Sequence, residues 1–331
     1  MPVKKIILPL LFMGMFLFSA CGMAAGNSEK IDYQGEMANL VGEIHDYSKA
    51  KNPNFGLITN GGVVLYTTFD DNKPESAAKM LNSVSGALTE AVFYGTDMDN
   101  DALTAKESQD FYFACLEAVQ QKNIPVFNVD YCASDKTVAD AYKRDAEKGY
   151  IGFATKNRLL STIPAEVHAE NNNAVNNLGA AKNILLLLNP GEFSGKENYL
   201  NAIKNTNYDV VIVDLFYGGV PLTKDEVASL QQKANGARRQ VYAYMSTGEA
   251  EDYRWYWQEG WKANPPAWLE KANDDWAGNY KVKYWQKEWK NILYGNADAY
   301  LDKIIAAGFD GAFLDVIDAY QYFMEKENEA N

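Results

Sequence analysis

Histidine, cysteine and basic residues are scarce in this chain of 331 residues. Two histidines and three cysteines are too few for a histidine-rich metal site or for a scaffold held by many disulfides. Lysine and arginine number 31 against 44 aspartates and glutamates, which gives a net charge of −13. Because such an acidic chain repels phosphate backbones, nucleic acid is excluded as an expected partner.

The first 20 residues have the pattern of a signal peptide. Lys4 and Lys5 precede an apolar run over positions 6–18, which is shorter than the about 20 residues that span a bilayer. The small residues directly before Cys21 resemble a bacterial lipobox, with Phe18 where leucine is usual. This resemblance implies cleavage before Cys21 and acylation of its thiol; ordinary secretion is the alternative. We expect an exported lipoprotein of the bacterial cell envelope, anchored at Cys21, with a tether over residues 21–32.

Eight short apolar runs alternate with helical patterns along the rest of the chain. Nearly continuous apolar strands are typical of a parallel sheet that is covered on both faces. Their number predicts an α/β protein with a single (β/α)8 TIM barrel over residues 33–325; a doubly wound sheet is the alternative. No G-x-G-x-x-G follows the early strands, so no dinucleotide cofactor is expected. The predicted strands are Phe55–Ile58, Ala91–Tyr94, Pro125–Val129, Tyr150–Ala154, Ile184–Leu188, Val210–Asp214, Val241–Met245 and Gly311–Asp315.

All seven tryptophans lie between Trp255 and Trp289. The surrounding segment, residues 246–296, is far longer than a usual crossover and predicts a Trp-rich insertion between strands 7 and 8, on the face where barrel active sites are built. Trp257 with Trp261, and Trp285 with Trp289, have the spacing of a packed helical core. Exposed indoles, in contrast, bind the apolar faces of sugar rings or cationic ligands. We expect both roles, with two or three tryptophans facing a ligand.

Acidic residues close several predicted strands. Asp130, Asp214 and Asp315 end apolar runs, and Glu249 and Glu251 follow the seventh run. Ion pairs with Arg254 and helix capping explain part of this set, because charges at buried strand ends need partners. The rest indicate chemistry at the catalytic face of a barrel. Paired carboxylates serve glycoside hydrolysis, in which one protonates the leaving oxygen and the other attacks the anomeric carbon or activates water. No metal site is expected.

Three long motifs resemble one known family. They are Gly248–Arg254, Trp276–Trp285 and Gly308–Tyr320, and they are similar to the endo-α-1,4-polygalactosaminidase-like proteins of glycoside hydrolase family 114, above all its bacterial and archaeal branch. Segments of the N-terminal half, such as Asn54–Gly62, resemble later strands of that family. Because the two halves stand in the opposite order here, the resemblance implies a circularly permuted chain, joined through Glu170–Asn183.

The resemblance also implies an activity and a site. It implies endo-acting hydrolysis of an α-linked polysaccharide, of the amino-sugar, galactosamine type, without a cofactor. Asp214 matches the family's nucleophile or stabiliser and Glu251 its general acid/base, or the reverse. Where characterised relatives have Gly-Ser-Tyr-Glu, this chain has Gly-Glu-Ala-Glu, so Glu249 is an added acid. The candidate sugar contacts are Asn60, Asp130, Tyr244, Glu249, Arg254, Trp276, Tyr284, Trp285, Asp315, Asp318 and Tyr320.

Two other functions fit the same patterns. A non-catalytic, glycan-binding lipoprotein would use the tryptophans without cleaving anything. A solute-binding lipoprotein would have two α/β lobes and a hinge. In every case we expect a monomer that contacts the membrane only through its N-terminal lipid.

Overall fold

The computed structural model describes residues 30–330, so the predicted signal peptide, Cys21 and most of the tether lie outside the described residues. Within this range no helix has the length and apolarity to cross a bilayer. The strands are β1 (Gly56–Asn60), β2 (Gly86–Glu90), β3 (Val126–Tyr131), β4 (Ile151–Thr155), β5 (Ile184–Leu187), β6 (Val210–Asp214), β7 (Phe216–Tyr217), β8 (Val220–Pro221), β9 (Gln240–Ser246), β10 (Glu249–Glu251), β11 (Leu269–Ala272), β12 (Asn279–Val282) and β13 (Gly311–Asp315). The α-helices are α1 (Tyr33–Lys51), α2 (Pro74–Ser83), α3 (Lys106–Gln121), α4 (Asp135–Lys148), α5 (Lys196–Lys204), α6 (Lys224–Leu230), α7 (Lys287–Leu293), α8 (Tyr300–Ala307) and α9 (Tyr320–Ala330).

Eight parallel strands form one nearly closed, barrel-like sheet. Their order is β4-β3-β2-β1-β13-β9-β6-β5. At the seam between β4 and β5, the backbone N–H groups of Leu188 and Asn189 donate to the carbonyl of Leu160 at 3.0 and 3.2 Å. This architecture is consistent with the expected TIM barrel. A single curved sheet also argues against the doubly wound and two-lobed alternatives.

One predicted strand was wrong. The second strand is Gly86–Glu90 rather than Ala91–Tyr94, and it follows α2, which ends at Ser83. Ala91 has a left-handed φ of 53°, which ends the strand. The apolar residues that follow form a loop, because the backbone N–H groups of Phe93 and Tyr94 donate to a side chain, the carboxylate of Asp130.

The barrel interior can be recognised from the register. Alternate side chains of a barrel strand face inward and outward. Asn128 on β3 donates to Asp145 on α4, so Asn128 and Asp130 face the helices, and Tyr131 faces inward. Pairing of neighbouring strands extends the inward-facing set to Asn60, Glu90, Asp214, Tyr244 and Asp315. The polar ends of five strands therefore point into the same end of the barrel.

The β4–β5 crossover, residues 156–183, contains no α-helix. Its second part lies under the barrel, where a fully buried ion pair of Lys233 with Asp209 holds it. The backbone N–H of Lys182 donates to Asp209 at 2.7 Å, and Leu178 packs beside Gly86 at the start of β2. This crossover closes the amino-terminal end of the barrel without the usual helix.

Most tryptophans pack against one another between β9 and β13. The rings of Trp257 and Trp261, Trp261 and Trp268, and Trp268 and Trp289 have centroids 5.3, 5.0 and 5.1 Å apart. They lie beside a three-stranded antiparallel sheet of order β10-β12-β11. The expected helical pairs were wrong, because α7 begins after Trp285 and Trp257 lies outside a helix. These four rings form a local core, in which Trp268 and Trp289 are buried and Trp257 and Trp261 are partly exposed.

Candidate active site

Asp214, Glu251 and Arg254 form an arginine-centred cluster. Arg254 Nη1 donates to both oxygens of Asp214, at 3.0 and 2.9 Å. Its Nε and Nη2 donate to the two oxygens of Glu251, at 2.7 and 3.3 Å, and the Tyr253 hydroxyl donates to the same carboxylate. All three members are buried. The two acids of the expected catalytic pair are therefore joined through one guanidinium.

The end of strand β6 positions Asp214 in this cluster, and the charges of the cluster shift the pKa values of its members. Asp214 ends β6 beside Tyr244 of β9, and its Oδ1 also accepts from the backbone N–H of Phe216 at 2.7 Å. Burial raises the pKa of Asp214, and the charge of Arg254 counteracts part of that rise. Burial alone would lower the pKa of Arg254, but the charges of Asp214 and Glu251 raise it well above its ordinary value. The guanidinium is therefore permanently charged.

Asn60, Glu90 and Asp315 form a second, amide-centred cluster. The Asn60 Nδ2 donates to Glu90 Oε1 at 2.8 Å and to Asp315 Oδ1 at 2.9 Å. The Tyr131 hydroxyl donates to the other oxygen of Glu90. Asn60 Oδ1 and Asp315 Oδ2 are buried and have no hydrogen-bond partner among residues 30–330. This cluster has two polar atoms left for a ligand.

Among residues 30–330, no cation forms an ion pair with the carboxyls of the amide-centred cluster, and the pKa values of these carboxyls are raised. Burial raises the pKa of Glu90 to about 7, although the charge of Arg158 lowers it in part. Burial also raises the pKa of Asp315 well above its usual range, and the nearby charge of Glu90 adds to the effect. These carboxyls hold protons at pH values at which ordinary carboxylates are ionised.

Backbone strain surrounds the same cluster. The residues that directly follow Asn60, Glu90 and Asp315 all have left-handed backbones: Gly61 (φ 71°), Ala91 (φ 53°) and Val316 (φ 60°). This conformation is unfavourable for alanine and more so for valine. Such strain accumulates at functional sites, and here it ends three neighbouring strands in the same way.

Asp318 is the carboxyl beside this cluster that reaches solvent. It lies in a single-turn helix, Ile317–Ala319, and is partly exposed. Burial raises its pKa to about 6; the charge of Lys281 opposes the rise and that of Glu249 adds to it.

Two of the expected sugar contacts have structural partners instead. Glu249 is buried, and its carboxylate accepts from Asn273, Asn279 and Lys281 at 2.7, 3.0 and 2.6 Å, which holds the three-stranded sheet together. Asp130 faces the helices and binds backbone N–H groups of the loop after β2. Because Asp130 points away from the barrel interior, we correct its assignment from sugar contact to loop anchor.

Two further expected contacts lie where α1 meets α9. The Tyr284 hydroxyl donates to the carbonyl of Tyr33 at 2.7 Å. Trp285 packs on the rings of Tyr33 and Phe323, with centroids 5.3 and 4.7 Å away. These contacts connect the Trp-rich segment to both helices, and they give Tyr284 and Trp285 a packing role.

The remaining expected contacts stay candidates. Tyr244 faces inward, with the guanidinium carbon of Arg254 5.7 Å from its ring centroid. The indole N–H of Trp276 and the hydroxyl of Tyr320 are buried and have no partner in the described part of the chain. Each therefore has hydrogen-bonding capacity to spare.

Sequence reasoning missed Glu90 and Trp255. Glu90 closes its strand as the other acids do, but the second strand had been placed after it. Trp255 directly follows Arg254, is 37% exposed, packs on Phe216 with ring centroids 5.0 Å apart, and is held by a bond from its indole N–H to the carbonyl of Asp298 at 3.1 Å. It presents an indole surface beside the arginine-centred cluster.

A barrel with carboxyl groups gathered at the carboxyl ends of its strands is an arrangement that glycoside hydrolases use. Residues 166–331 match the model of the glycoside-hydrolase family GH114. That match covers half of the chain, and the protein belongs to this family.

Several uncharacterized proteins are similar to part of the chain. One of Methanocaldococcus jannaschii is 41% identical over 126 residues, which cover 38% of this chain and 35% of that protein. One of Deinococcus radiodurans is 46% identical over 123 residues, 37% of each chain. One of Thermotoga maritima is 48% identical over 84 residues, 25% of each chain. The similarity thus spans about a third of these relatives or less.

Among solved structures, the Bacillus cereus spore cortex-lytic enzyme SleL aligns with a TM-score of 0.29 and 10% identity, over 88% of this chain and 70% of that one. An alignment with so low a TM-score supports no inference.

Proposed function

We propose that the protein is an endo-acting glycoside hydrolase that cleaves an α-linked, galactosamine-type polysaccharide. The observation that carries this proposal is the meeting of Asp214 and Glu251 at Arg254, although Asp214 and Arg254 are 40 residues apart in sequence. Glycoside hydrolysis passes through a transition state with positive charge at the anomeric carbon, and carboxylates stabilise it.

In this proposal Asp214 is the nucleophile or the charge-stabilising carboxylate. Its place at the end of β6, with Arg254 fixing both oxygens, keeps it oriented toward the barrel interior. Glu251 supports it from β10. Glu251 is the general acid/base of the pair, or the two roles are reversed, and the hydroxyl of Tyr253 also contacts its carboxyl group.

Charge and aromatic surface support the choice of polymer. The net charge of −13 and the inward-facing acids would attract a polysaccharide that carries free amino groups. The exposed indole of Trp255 could stack on a sugar ring. These features favour a cationic, α-linked chain as substrate.

Product analysis tests the proposal. We expect the wild type to release oligosaccharides from a polymer of α-linked galactosamine, and Asp214→Asn and Glu251→Gln each to reduce turnover by at least about 100-fold. Glu325→Gln, on the exposed side of α9, is the matched control and should keep full activity. Saturable binding without products from any α-linked amino-sugar polymer would instead identify a non-catalytic glycan-binding protein.

We also propose that the protein is an envelope lipoprotein anchored at Cys21. The support is the pattern of the first 21 residues. Metabolic labelling with a fatty acid should mark the wild type and not Cys21→Ser, and the variant should leave the membrane fraction. Labelling of both proteins would contradict the proposal.

Finally, we propose that the chain is a circular permutation of the family's usual order. Two observations support this: β1 pairs in register with β13, and Lys30 lies 3.4 Å from Glu327. The helix-free β4–β5 crossover would be the newer connection. A gene that joins residues 330 and 30 through a short linker and opens at residues 164–170 should give a protein with the same melting temperature. Opening it within α3 is the control, and it should prevent folding.

A further inference from the structure

Trp255 differs from the other six tryptophans in its exposure to solvent. It is 37% exposed, whereas the others are buried or partly buried. Its position in sequence is also distinct, because it directly follows Arg254 of the arginine-centred cluster. An isolated exposed apolar side chain needs no explanation, but an exposed aromatic surface that adjoins a site indicates binding. The surroundings of Trp255 decide between these two cases.

The indole of Trp255 is held in one orientation. Its N–H donates to the carbonyl of Asp298 at 3.1 Å. The rings of Tyr256 and Tyr300 contact it in T-shaped arrangements, with centroids 5.2 and 4.9 Å away. A ligand that stacks on this side chain therefore pays little of the entropy that ordering an exposed side chain otherwise costs.

Phe216 extends the aromatic surface toward the barrel. Asp214 closes β6, and the chain then turns into the hairpin of β7 and β8, in which Phe216 pairs with Pro221. The backbone N–H of Phe216 donates to Asp214 at 2.7 Å, so the position of this residue is tied to the carboxylate. Its ring lies 5.0 Å from that of Trp255 at an angle of 32°. Phe216 and Trp255 form the aromatic pair.

The aromatic pair lies beside the carboxylates and outside the barrel interior. The guanidinium carbon of Arg254 is 5.8 Å from the ring centroid of Phe216 and 5.4 Å from that of Tyr300, which packs against Trp255. The interior of an eight-stranded barrel is filled by side chains. A polymer that places one bond at Asp214 and Glu251 must therefore carry its next residues over the rim, where the aromatic pair lies.

The chemistry of this surface suits a sugar ring. Sugars have an apolar C–H face, which aromatic rings bind, and a polar edge, which needs hydrogen bonds. Beside the aromatic pair, Lys303 Nζ lies 5.5 Å from the ring centroid of Trp255 and 3.3 Å from Asp298. An ammonium group has three N–H donors, so Lys303 retains a donor for a sugar hydroxyl at the edge of the indole.

We propose that the aromatic pair is a subsite that binds a sugar residue of the polysaccharide next to the residue whose bond is cleaved. This inference rests on the proposed hydrolase function and states where a further part of that substrate binds. Binding energy from such a remote residue favours substrates that extend beyond the cleaved bond. The subsite thus favours cleavage within long chains and gives nothing to a substrate of one residue.

Two substrates of different length test the subsite. Trp255→Ala should lose at least about tenfold in kcat/KM on the α-linked galactosamine polymer, mostly through KM, and less than about twofold on the α-glycosyl fluoride of the single sugar. Trp255→Phe keeps an aromatic ring and should retain most of the activity on the polymer. Phe69→Ala is the matched control, because Phe69 is 42% exposed on the loop after β1, and it should resemble the wild type on both substrates.

Calorimetric titration measures the same subsite without turnover. In an Asp214→Asn background, an α-linked galactosamine oligosaccharide should bind at least about tenfold more weakly when Trp255→Ala is added, and with little change when Phe69→Ala is added. The single sugar should bind equally to all three proteins. Circular dichroism of each variant verifies that the fold is kept.

The outcomes distinguish this inference from the hydrolase function. If Trp255→Ala loses equally on polymer and fluoride, Trp255 acts by supporting Arg254, and the subsite is overturned although the hydrolase function stands. Unchanged kinetics on the polymer would overturn it as well. If the wild type cleaves neither substrate, the hydrolase proposal fails, and calorimetry still decides the subsite: binding of the oligosaccharide that depends on Trp255 supports it, and binding that is absent or independent of Trp255 contradicts it.

Discussion

The two clusters place carboxyl groups at one end of the same barrel and balance their charge by different means. In the arginine-centred cluster, the guanidinium of Arg254 forms ion pairs with Asp214 and Glu251. In the amide-centred cluster, the neutral Asn60 lies between Glu90 and Asp315, and burial raises the pKa of both carboxyls. The comparison shows that one end of the barrel combines acids paired with a cation and acids paired with an amide.

The largest effect should come from removing the guanidinium. Arg254→Met leaves Asp214 and Glu251 buried without a cation, which should lower the free energy of unfolding by about 3–5 kcal/mol and abolish activity. Urea denaturation at pH 7 measures the change. The triple variant that adds Asp214→Asn and Glu251→Gln should recover most of the stability and none of the activity. If the free energy of unfolding of Arg254→Met lies within about 1 kcal/mol of the wild-type value, the cluster is not an ion-pair network.

Glu90→Gln should give the next largest effect, and one that depends on pH. Burial raises the pKa of Glu90 to about 7, so the folded state binds the proton more tightly than the unfolded state. The stabilisation is complete below the unfolded pKa of about 4.3 and is lost as the pH rises to about 7, on the order of 3 kcal/mol in all. The variant should therefore exceed the wild type in stability at pH 8 and match it near pH 4.

Denaturation curves from pH 4 to pH 8 check this result. Glu107→Gln, an exposed residue of α3, is the control and should follow the wild type throughout. Parallel curves for Glu90→Gln and the wild type would mean that the pKa of Glu90 is not raised in the folded protein.

A second pair of acids bridged by an asparagine lies outside the barrel interior, and it tests whether such a pair affects activity at that position. Asn128 joins Asp130 and Asp145 at 2.8 and 2.9 Å, as Asn60 joins the inner acids, but this pair faces the helices. Burial and the charge of Asp130 raise the pKa of Asp145 well above its usual range. The wild type thus loses stability as the pH rises, and Asp145→Asn should be more stable at pH 8 by about 1–2 kcal/mol. Its kcat/KM should be unchanged; a loss of activity would extend the site beyond the barrel interior.

The smallest effect concerns the strained strand ends. Ala91 has a φ of 53°, which costs a non-glycine residue about 1–2 kcal/mol, while glycine adds about 0.5–1 kcal/mol of unfolded-state entropy. Ala91→Gly should therefore stabilise the protein by about 0.5 kcal/mol. Ala87→Gly, inside β2, is the matched control and should destabilise it by about 0.5–1 kcal/mol. Thermal denaturation of both variants measures these stability changes. If both variants are destabilised, the backbone at Ala91 is not strained.

Seven of the eight barrel strands could be predicted, because strands covered on both faces have continuous apolar sequences. The second could not, because the more apolar run Ala91–Tyr94 follows it. That run is a loop whose backbone groups bond to the side chain of Asp130, and periodicity does not detect bonds between a side chain and a distant backbone.

The acids of the site could be named from strand ends and motifs, but their partners could not. Arg254 reaches Asp214 only because a turn after β10 brings it back over β6, and Asn60 reaches Asp315 only across the pairing of β1 with β13. The tryptophans lie in the same segment as Glu251 and Arg254, and the region of the ligand site stays a prediction. The tryptophan pattern could not distinguish Trp255, which is exposed, from rings such as Trp289, which are core.

The pairing of β1 with β13 can form only late in the synthesis of the chain. The bond from Asn60 to Asp315 spans 255 residues, whereas β1 to β4 are neighbours in both sequence and space. A ribosome that adds about 5–20 residues per second exposes the first four strands well before β13 exists. Until then, β1 is an unpaired edge that can associate with other chains. Partial chains that end before β13 should therefore be prone to aggregate.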